Sequence, residues 1–240
     1  MNKYYHFEKL DSTSIYLKNN YNNLDDYTFV SASYQTKGHG RNNHKWFGES
    51  NKDLMFSILI KNKELTSKYD CLSLASSVVI YEVLKELNIK NVSIKWPNDV
   101  FVNNKKIAGI LLEGISCGKG IEALIIGVGV NVNSTRFNRN MINEPTSINL
   151  ELKKEVLLEN IKKEIYKKFL TTFEEIKNNN YSYLKIVREN NYLKNKVVYA
   201  QINQVKVPVK VIDINDDNSL KIEKNGELIN VYSGEISFHI

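Results

Sequence analysis

The chain has 240 residues, 42% of them hydrophobic, and a formal net charge of +6 at pH 7, enough for a substantial core in one large domain or one domain with a small appendage. The positive charge invites a nucleic-acid reading, but the lysines are scattered in pairs among glutamates, as in Glu151-Leu152-Lys153-Lys154-Glu155 and Lys162-Lys163-Glu164, the pattern of a solvated surface. No apolar signal core and no run of roughly 18 apolar residues is present, and Cys71 and Cys117 form no disulfide framework or metal spacing; a soluble, cytoplasmic protein is expected.

In chain order, a short strand near Tyr5 and Phe7 precedes Asp11-Ser12-Thr13-Ser14, which supplies caps for a helix reaching Asn20. Thr28-Phe29-Val30-Ser31-Ala32-Ser33-Tyr34-Gln35 reads as a strand entering a glycine-containing loop over residues 36–50. Leu54-Met55-Phe56-Ser57-Ile58-Leu59-Ile60 is an apolar run of strand length. Leu72, Ala75, Val78, Val79, Val83 and Leu87 fall at helical spacing, predicting an amphipathic helix over 68–87. Strands follow around 93–95, 107–113 and 121–132, then a long helix over 153–177 with Leu157, Ile161, Ile165, Phe169, Phe173 and Ile176 on one side. Beyond Asn190 the period changes to two. Short strands are predicted at 196–199, 205–214, 219–223, 227–232 and 235–240, with Asn225-Gly226 as a type I′ hairpin signal. The fold class is therefore α+β, a mixed α/β unit over 1–188 followed by a small β-barrel over 189–240.

Four segments carry chemistry. Lys95-Trp96-Pro97-Asn98-Asp99 sets four different side chains around a proline that fixes its own φ and restricts Trp96. Asn98 and Asp99 either cap backbone or face a ligand; the alternative is a hairpin with a polar turn. Lys106 then opens the apolar run Ile107-Ala108-Gly109-Ile110-Leu111-Leu112-Glu113, placing a cation at the mouth of a buried strand, where an anionic substrate would bind. In the loop after Gln35, Gly38-His39-Gly40-Arg41 allows close backbone approach, and Arg41 offers a donor fork for carboxylate or phosphate. It does not continue as a dinucleotide fingerprint, because Asn43 stands at the third glycine position; the alternative is a surface loop anchored by Trp46. Gly127-Val128-Gly129 lies inside an apolar strand ending at Asn131, a sign of close approach by a ligand or another backbone.

Taken together, Gly38-x-Gly40-Arg41 ending at Trp46, Lys95-Trp96-Pro97-Asn98-Asp99, Lys106-Ile107-Ala108-Gly109 and Gly127-x-Gly129-x-Asn131 resemble, in order and spacing, the biotin–protein ligases. Ser12-Thr13-Ser14 is similar to that family's Ser-Thr-Asn, and Gly234-Glu235-Ile236-Ser237 to the end of its small barrel. The resemblance implies a catalytic domain of the class II aminoacyl-tRNA-synthetase type with an SH3-like barrel behind it. It implies activation of biotin with ATP and Mg²⁺ to biotinyl-5′-adenylate, then transfer to a lysine on the biotin carrier domain of a biotin-dependent carboxylase. Lys106, Arg41 and Lys95 are then the catalytic candidates. Ser12, Thr13, Ser14, Gln35, Gly38, His39, Gly40, Arg41, Trp46, Lys106, Gly127 and Gly129 are expected around biotin. Arg41, Trp46, Asn98 and Asn131 are expected around the adenylate. Asp99 would either meet Mg²⁺ or orient a lysine.

The sequence departs from the family where His39 replaces an arginine, where Asn42, Asn43 and His44 replace basic or glycine positions, and where Ser14 replaces asparagine. Met1 to Leu10 leaves no room for the winged-helix domain of the family's regulatory members, so an enzyme without DNA binding is expected, as a monomer or homodimer. Two rivals are a lipoate–protein ligase, disfavoured by Trp96-Pro97 and the barrel, and a non-catalytic biotin-binding protein, suggested by the arginine-poor loop.

Overall fold

The structure, a computed structural model, describes residues 4–41, 44–116, 118, 120–137, 143–202, 205–233 and 238–239. Cys117, Asn42, Asn43 and Gly234-Glu235-Ile236-Ser237 lie outside the described residues.

Leu54–Ile60 is buried along its whole length, as expected of an apolar run with one serine in it, and it sits at the centre of a seven-stranded sheet. With β1 Tyr4–Leu10, β2 Phe29–Gln35 and this strand as β3, followed by β4 Val92–Lys95, β5 Asp99–Val102, β6 Lys105–Ser116 and β7 Ile121–Val130, the sheet order is β1-β2-β3-β7-β6-β5-β4. β1 and β2 are parallel and all other pairs antiparallel, so the sheet is mixed. On one face lies α1 (Thr13–Asn20), whose Leu17 packs on Val30, Leu59, Ala123 and Ile125. The other face is covered by α3 (Tyr69–Glu86) and α5 (Leu158–Lys177), which bury Leu72, Val79, Ile165 and Phe169.

Several elements differ from the sequence expectation. The long helix starts at Leu158 rather than at 153, because Lys153 takes a left-handed φ of +57° and closes a separate short helix, α4 Ile148–Leu152. β5, the one-turn α2 (Lys63–Thr66) and α6 (Tyr183–Glu189) were not expected. Lys95-Trp96-Pro97-Asn98-Asp99 does form a hairpin turn, with Lys95 opposite Asp99 and a cis Trp96–Pro97 bond. Trp96 is buried at its base.

The carboxy-terminal strands β8 Val197–Ile202, β9 Val205–Ile214, β10 Leu220–Lys224, β11 Glu227–Val231 and β12 Phe238–His239 form a second, antiparallel sheet in the order β11-β10-β9-β8-β12. Asn225 and Gly226 both take positive φ between β10 and β11, which pair Lys224 with Glu227, as the hairpin signal requires. This sheet is not separate from the first. Val198, Val209, Val211, Ile214, Leu220 and Ile222 share one hydrophobic cluster with Trp96, Ile94, Val79 and Phe169. Among the described residues no helix is long and apolar enough to cross a membrane.

Candidate active site

Side chains alternate along a strand, so Ala123, Ile125, Gly127 and Gly129 of β7 share the face that carries α1. Apolar residues fill the first half of that row, and the glycines leave the second half open. Gly129 pairs with Gly109 on β6, and Gly109 in turn with Asp99 on β5. The sheet therefore has a bare strip ending at a carboxylate. The Trp46 indole lies on this strip, so close to Gly129 that a Cβ there would overlap the ring. Its indole N–H is buried without a hydrogen-bond partner among the described residues. Trp46 is delivered by its loop, which folds back on itself: Trp46 N donates to Gly38 O at 2.9 Å and Gly40 N to His44 O at 2.7 Å.

Two groups of polar residues flank the strip. One is neutral and belongs to the start of α1. Thr13 donates its backbone N–H to Gln35 Oε1 at 2.7 Å, and Thr13 Oγ1 and Ser14 Oγ each lie within 2.9 Å of Ser57 Oγ. Ser14 sits over Gly127, where a Cβ would come within 2.7 Å of its hydroxyl. Ser12 is buried at the helix start with no side-chain capping bond. Such a cluster of buried hydroxyls suits a polar ring that must exchange its water partners for protein ones.

The other group is charged. Lys106 Nζ sits 2.7 Å from Asp99 Oδ1, with both side chains mostly buried, and 5.7 Å from the Trp46 ring centroid. Asp99 is thus paired with a lysine, one of the two roles open for it. Arg41 Nη1 donates to Asn98 Oδ1 at 3.3 Å, Arg41 Nη2 donates to the Ser233 carbonyl, and burial pushes its guanidinium below its usual pKa while Asp99 opposes the shift. Asn98 is fixed by its amide donating to Ile110 O at 2.7 Å. Lys95 is 8% exposed; burial pushes its ammonium down, Asp99 counters, and Lys106 and Lys196 add to the depression.

Not every expected residue points into this space. Asn131 is buried, and its amide donates to Thr146 O at 2.9 Å and Lys106 O at 3.4 Å, so it holds the backbone behind Lys106. The His39 side chain lies against Glu113, with Nε2 3.7 Å from the carboxylate. Two residues were missed. Ser57 joins the hydroxyl cluster, and its signal was a lone serine within an otherwise apolar strand. Asp53 accepts from the backbone of Glu49 and Val132, each at 2.9 Å, and from Ser134 Oγ at 2.6 Å, tying the root of the Trp46 loop to the end of β7. Nothing in its sequence context distinguishes it from an ordinary strand start. Among the described residues no three His, Cys, Asp or Glu side chains are grouped to hold a metal.

Comparison with known proteins agrees with this arrangement. The bifunctional ligase/repressor BirA of Escherichia coli is 32% identical over 135 residues, 56% of this chain and 42% of that protein. A biotin–[acetyl-CoA-carboxylase] ligase from Paracoccus denitrificans is 31% identical over 111 residues, covering 45% and 46% of the two chains. The chain thus spans less than half the length of these curated relatives. Among solved structures, biotin protein ligase from Aquifex aeolicus in complex with biotin and ATP superposes with a TM-score of 0.84 at 25% identity, over 99% of both chains. The mixed sheet with its helices and the second antiparallel sheet match that fold. Residues 6–131, which hold the hydroxyl cluster, the Trp46 loop, the Lys106–Asp99 pair and the glycine strip, match the biotin/lipoate A/B protein ligase family, and the chain belongs to that family.

Proposed function

We propose that the chain is an ATP-dependent biotin–protein ligase, which joins biotin to ATP as biotinyl-5′-adenylate and passes the biotinyl group to a lysine of a carboxylase's biotin carrier domain. The observation that carries this reading is a bare glycine strip with neutral hydroxyls at one end and Lys106, Asp99 and Arg41 at the other. That polarity fits a ligand with a neutral polar ring, an apolar middle and a carboxylate. Lipoate has no ureido ring for the hydroxyls to satisfy, which disfavours the closest rival. The Lys106–Asp99 pair disfavours a merely binding role, because it places an oriented cation where negative charge develops.

The first step joins two anions. The biotin carboxylate attacks the α-phosphorus of ATP, a P–O bond forms, and pyrophosphate leaves with the electrons of the bond it breaks. Lys106 Nζ would sit between carboxylate and phosphate and stabilise the charge built up there, with Asp99 fixing its direction. Arg41 and Lys95 would hold the phosphates, Asn98 would aim Arg41, and Trp46 would cover the mixed anhydride and keep water out. Mg²⁺ belongs to this scheme as the companion of the ATP phosphates. Thr13, Ser14, Gln35 and Ser57 would bond the ureido ring. Ser12, Gly38, His39 and Gly40 would line the loop and helix ends around biotin, with Gly127 making room for its bicyclic ring and Gly129 seating the Trp46 indole that closes over it. In the second step the carrier lysine attacks the acyl carbon as a neutral amine, an amide forms, and AMP departs with the bridging oxygen. Asn131 would support the adenylate from behind Lys106.

Two units serve this chemistry in the proposal. Residues 1–188 form the catalytic domain, of the class II aminoacyl-tRNA-synthetase type, and residues 189–240 an SH3-like barrel built on the second sheet. Cytoplasmic ATP and carboxylase supply the substrates. The test is transfer of labelled biotin, with lipoate in parallel, from an ATP reaction to a biotin carrier domain. Biotin transfer is expected. Transfer of lipoate alone, or biotin binding without turnover, would overturn the reading.

A further inference from the structure

The second sheet reaches Arg41 by two routes, and both start from one turn. Between β9 and β10 the chain passes through Asp216-Asp217-Asn218, and Asn218 takes φ +67°, a conformation asparagine tolerates better than most residues. Asn218 is buried, and its polar groups face the first unit. Its carbonyl accepts from Trp96 Nε1 at 2.9 Å, its side-chain oxygen accepts from Tyr183 Oη at 2.5 Å, and its amide donates to Cys71 Sγ at 3.5 Å. Trp96 precedes the turn that presents Asn98, the acceptor for Arg41 Nη1. On the second route, Asp217 accepts from Tyr232 Oη at 2.9 Å, and Tyr232 adjoins Ser233, whose carbonyl takes Arg41 Nη2. Arg188 anchors the same turn by donating to Ile214 O at 2.7 Å and Asp216 Oδ1 at 2.6 Å.

Among the described residues, both hydrogen-bond partners of the Arg41 guanidinium therefore trace back to residues 217 and 218. We propose that Asn218 is a positioning residue: its side chain, held by Tyr183 and Cys71, fixes the left-handed turn whose carbonyl grips Trp96, and with it the Asn98 acceptor, and whose neighbour Asp217 holds Tyr232 beside the Ser233 carbonyl, the two acceptors that aim Arg41 at the nucleotide. The Arg41–Asn98 bond is already long at 3.3 Å, so a small displacement of the Trp96 turn removes it. The kinetic consequences rest on the ligase reading; the structural ones do not.

The test compares Asn218→Ala, Arg41→Ala and the double variant in the full chain. Asn218→Ala is expected to raise KM for ATP or lower the rate of adenylate formation by about tenfold, the scale on which a misaimed group costs rate. Biotin affinity should stay within about twofold, and in the Arg41→Ala background most of that loss should disappear. Losses that multiply in the double variant, or that fall equally on biotin, overturn the proposal. Asn218→Gly keeps the left-handed backbone without a steric penalty and loses both side-chain bonds; it stands in should the alanine chain not fold, with the same pattern expected. A second readout needs no turnover. Hydrogen exchange in Asn218→Ala should speed up at the amides of His39, Gly40 and Arg41 and at Asn98, with β8 to β10 protected as before. Exchange that rises only within the second sheet overturns the positioning role. Wild-type chain that converts no biotin and ATP would overturn the ligase reading, and the exchange result still decides this one.

Discussion

At the scale of single residues, the site turns on charges held out of water. Among the described residues, Lys106 is the one cation whose ammonium is both paired, to Asp99 at 2.7 Å, and set over the glycine strip. In Lys106→Ala, adenylate formation measured by pyrophosphate release should fall by about 10²–10³-fold, the cost of losing a donor aimed at developing charge, while far-UV circular dichroism is unchanged. Activity near wild type would remove Lys106 from the reaction. Lys95 makes a different prediction because it is buried with too little compensation. Its ammonium faces Asp99, Lys106, Lys196, Asn143 and the Phe101 ring, and burial depresses its pKa below 10.5. The unfolded chain therefore binds a proton that the folded chain releases in the window just below 10.5, so stability rises with pH across that window. Below the window the folded state bears the cost of a buried charge. Lys95→Met should accordingly stabilise the chain at pH 7, with the gain shrinking as pH approaches 10.5, and should weaken ATP binding. A variant less stable than wild type at pH 7 would show that Lys95 is a net stabiliser.

At the scale of elements, what was legible depended on whether a segment's own pattern decided its structure. The helix over 69–86 and the strand over 54–60 are long and strongly patterned, and both form within a residue or so of expectation. β5 was hidden because Asp99-Val100-Phe101-Val102 is four residues long and begins inside the polar turn. Its strand state comes from pairing with β4 and β6, which is tertiary information. The start of α5 was misplaced for the opposite reason, because Leu157 kept the helical rhythm while the backbone at Lys153 had already turned left-handed. For the site, the glycine pair pointed to close approach by a ligand or another backbone, whereas what approaches is an indole from another loop, which covers Gly129 and its register partner Gly109. Gly129→Ala tests that element directly. The methyl group must expel the Trp46 ring, so tryptophan emission should shift to the red and the adenylate should be lost from the enzyme faster. Trp96 stays buried on the other side of the sheet and supplies the constant background. Unchanged emission would mean that Trp46 does not occupy the strip in solution.

At the scale of the whole molecule, the change of period after Asn190 located a second sheet but concealed how it is attached. A period of two says which side chains share a face and is silent on what covers them. Here the covering is the first unit: Val209, Val211, Ile214, Leu220 and Ile222 belong to the same cluster as Trp96, Ile94 and Val79. Truncating Ile222, fully buried in that cluster, should then cost the entire chain its stability, not one part of it. Ile222→Ala is expected to destabilise by about 2–5 kcal/mol, the range for emptying a core site. Urea unfolding followed by tryptophan fluorescence and by far-UV circular dichroism should give coincident transitions in both wild type and variant, because Trp96 sits at the junction and reports on both sheets. If the second sheet melted first, leaving the helices folded, the circular dichroism loss would lag the fluorescence change and the shared core would be no more than a contact. Coincidence would also explain how Arg41 can take a partner as distant in the chain as Ser233: only a unit that does not unfold separately can hold the two together.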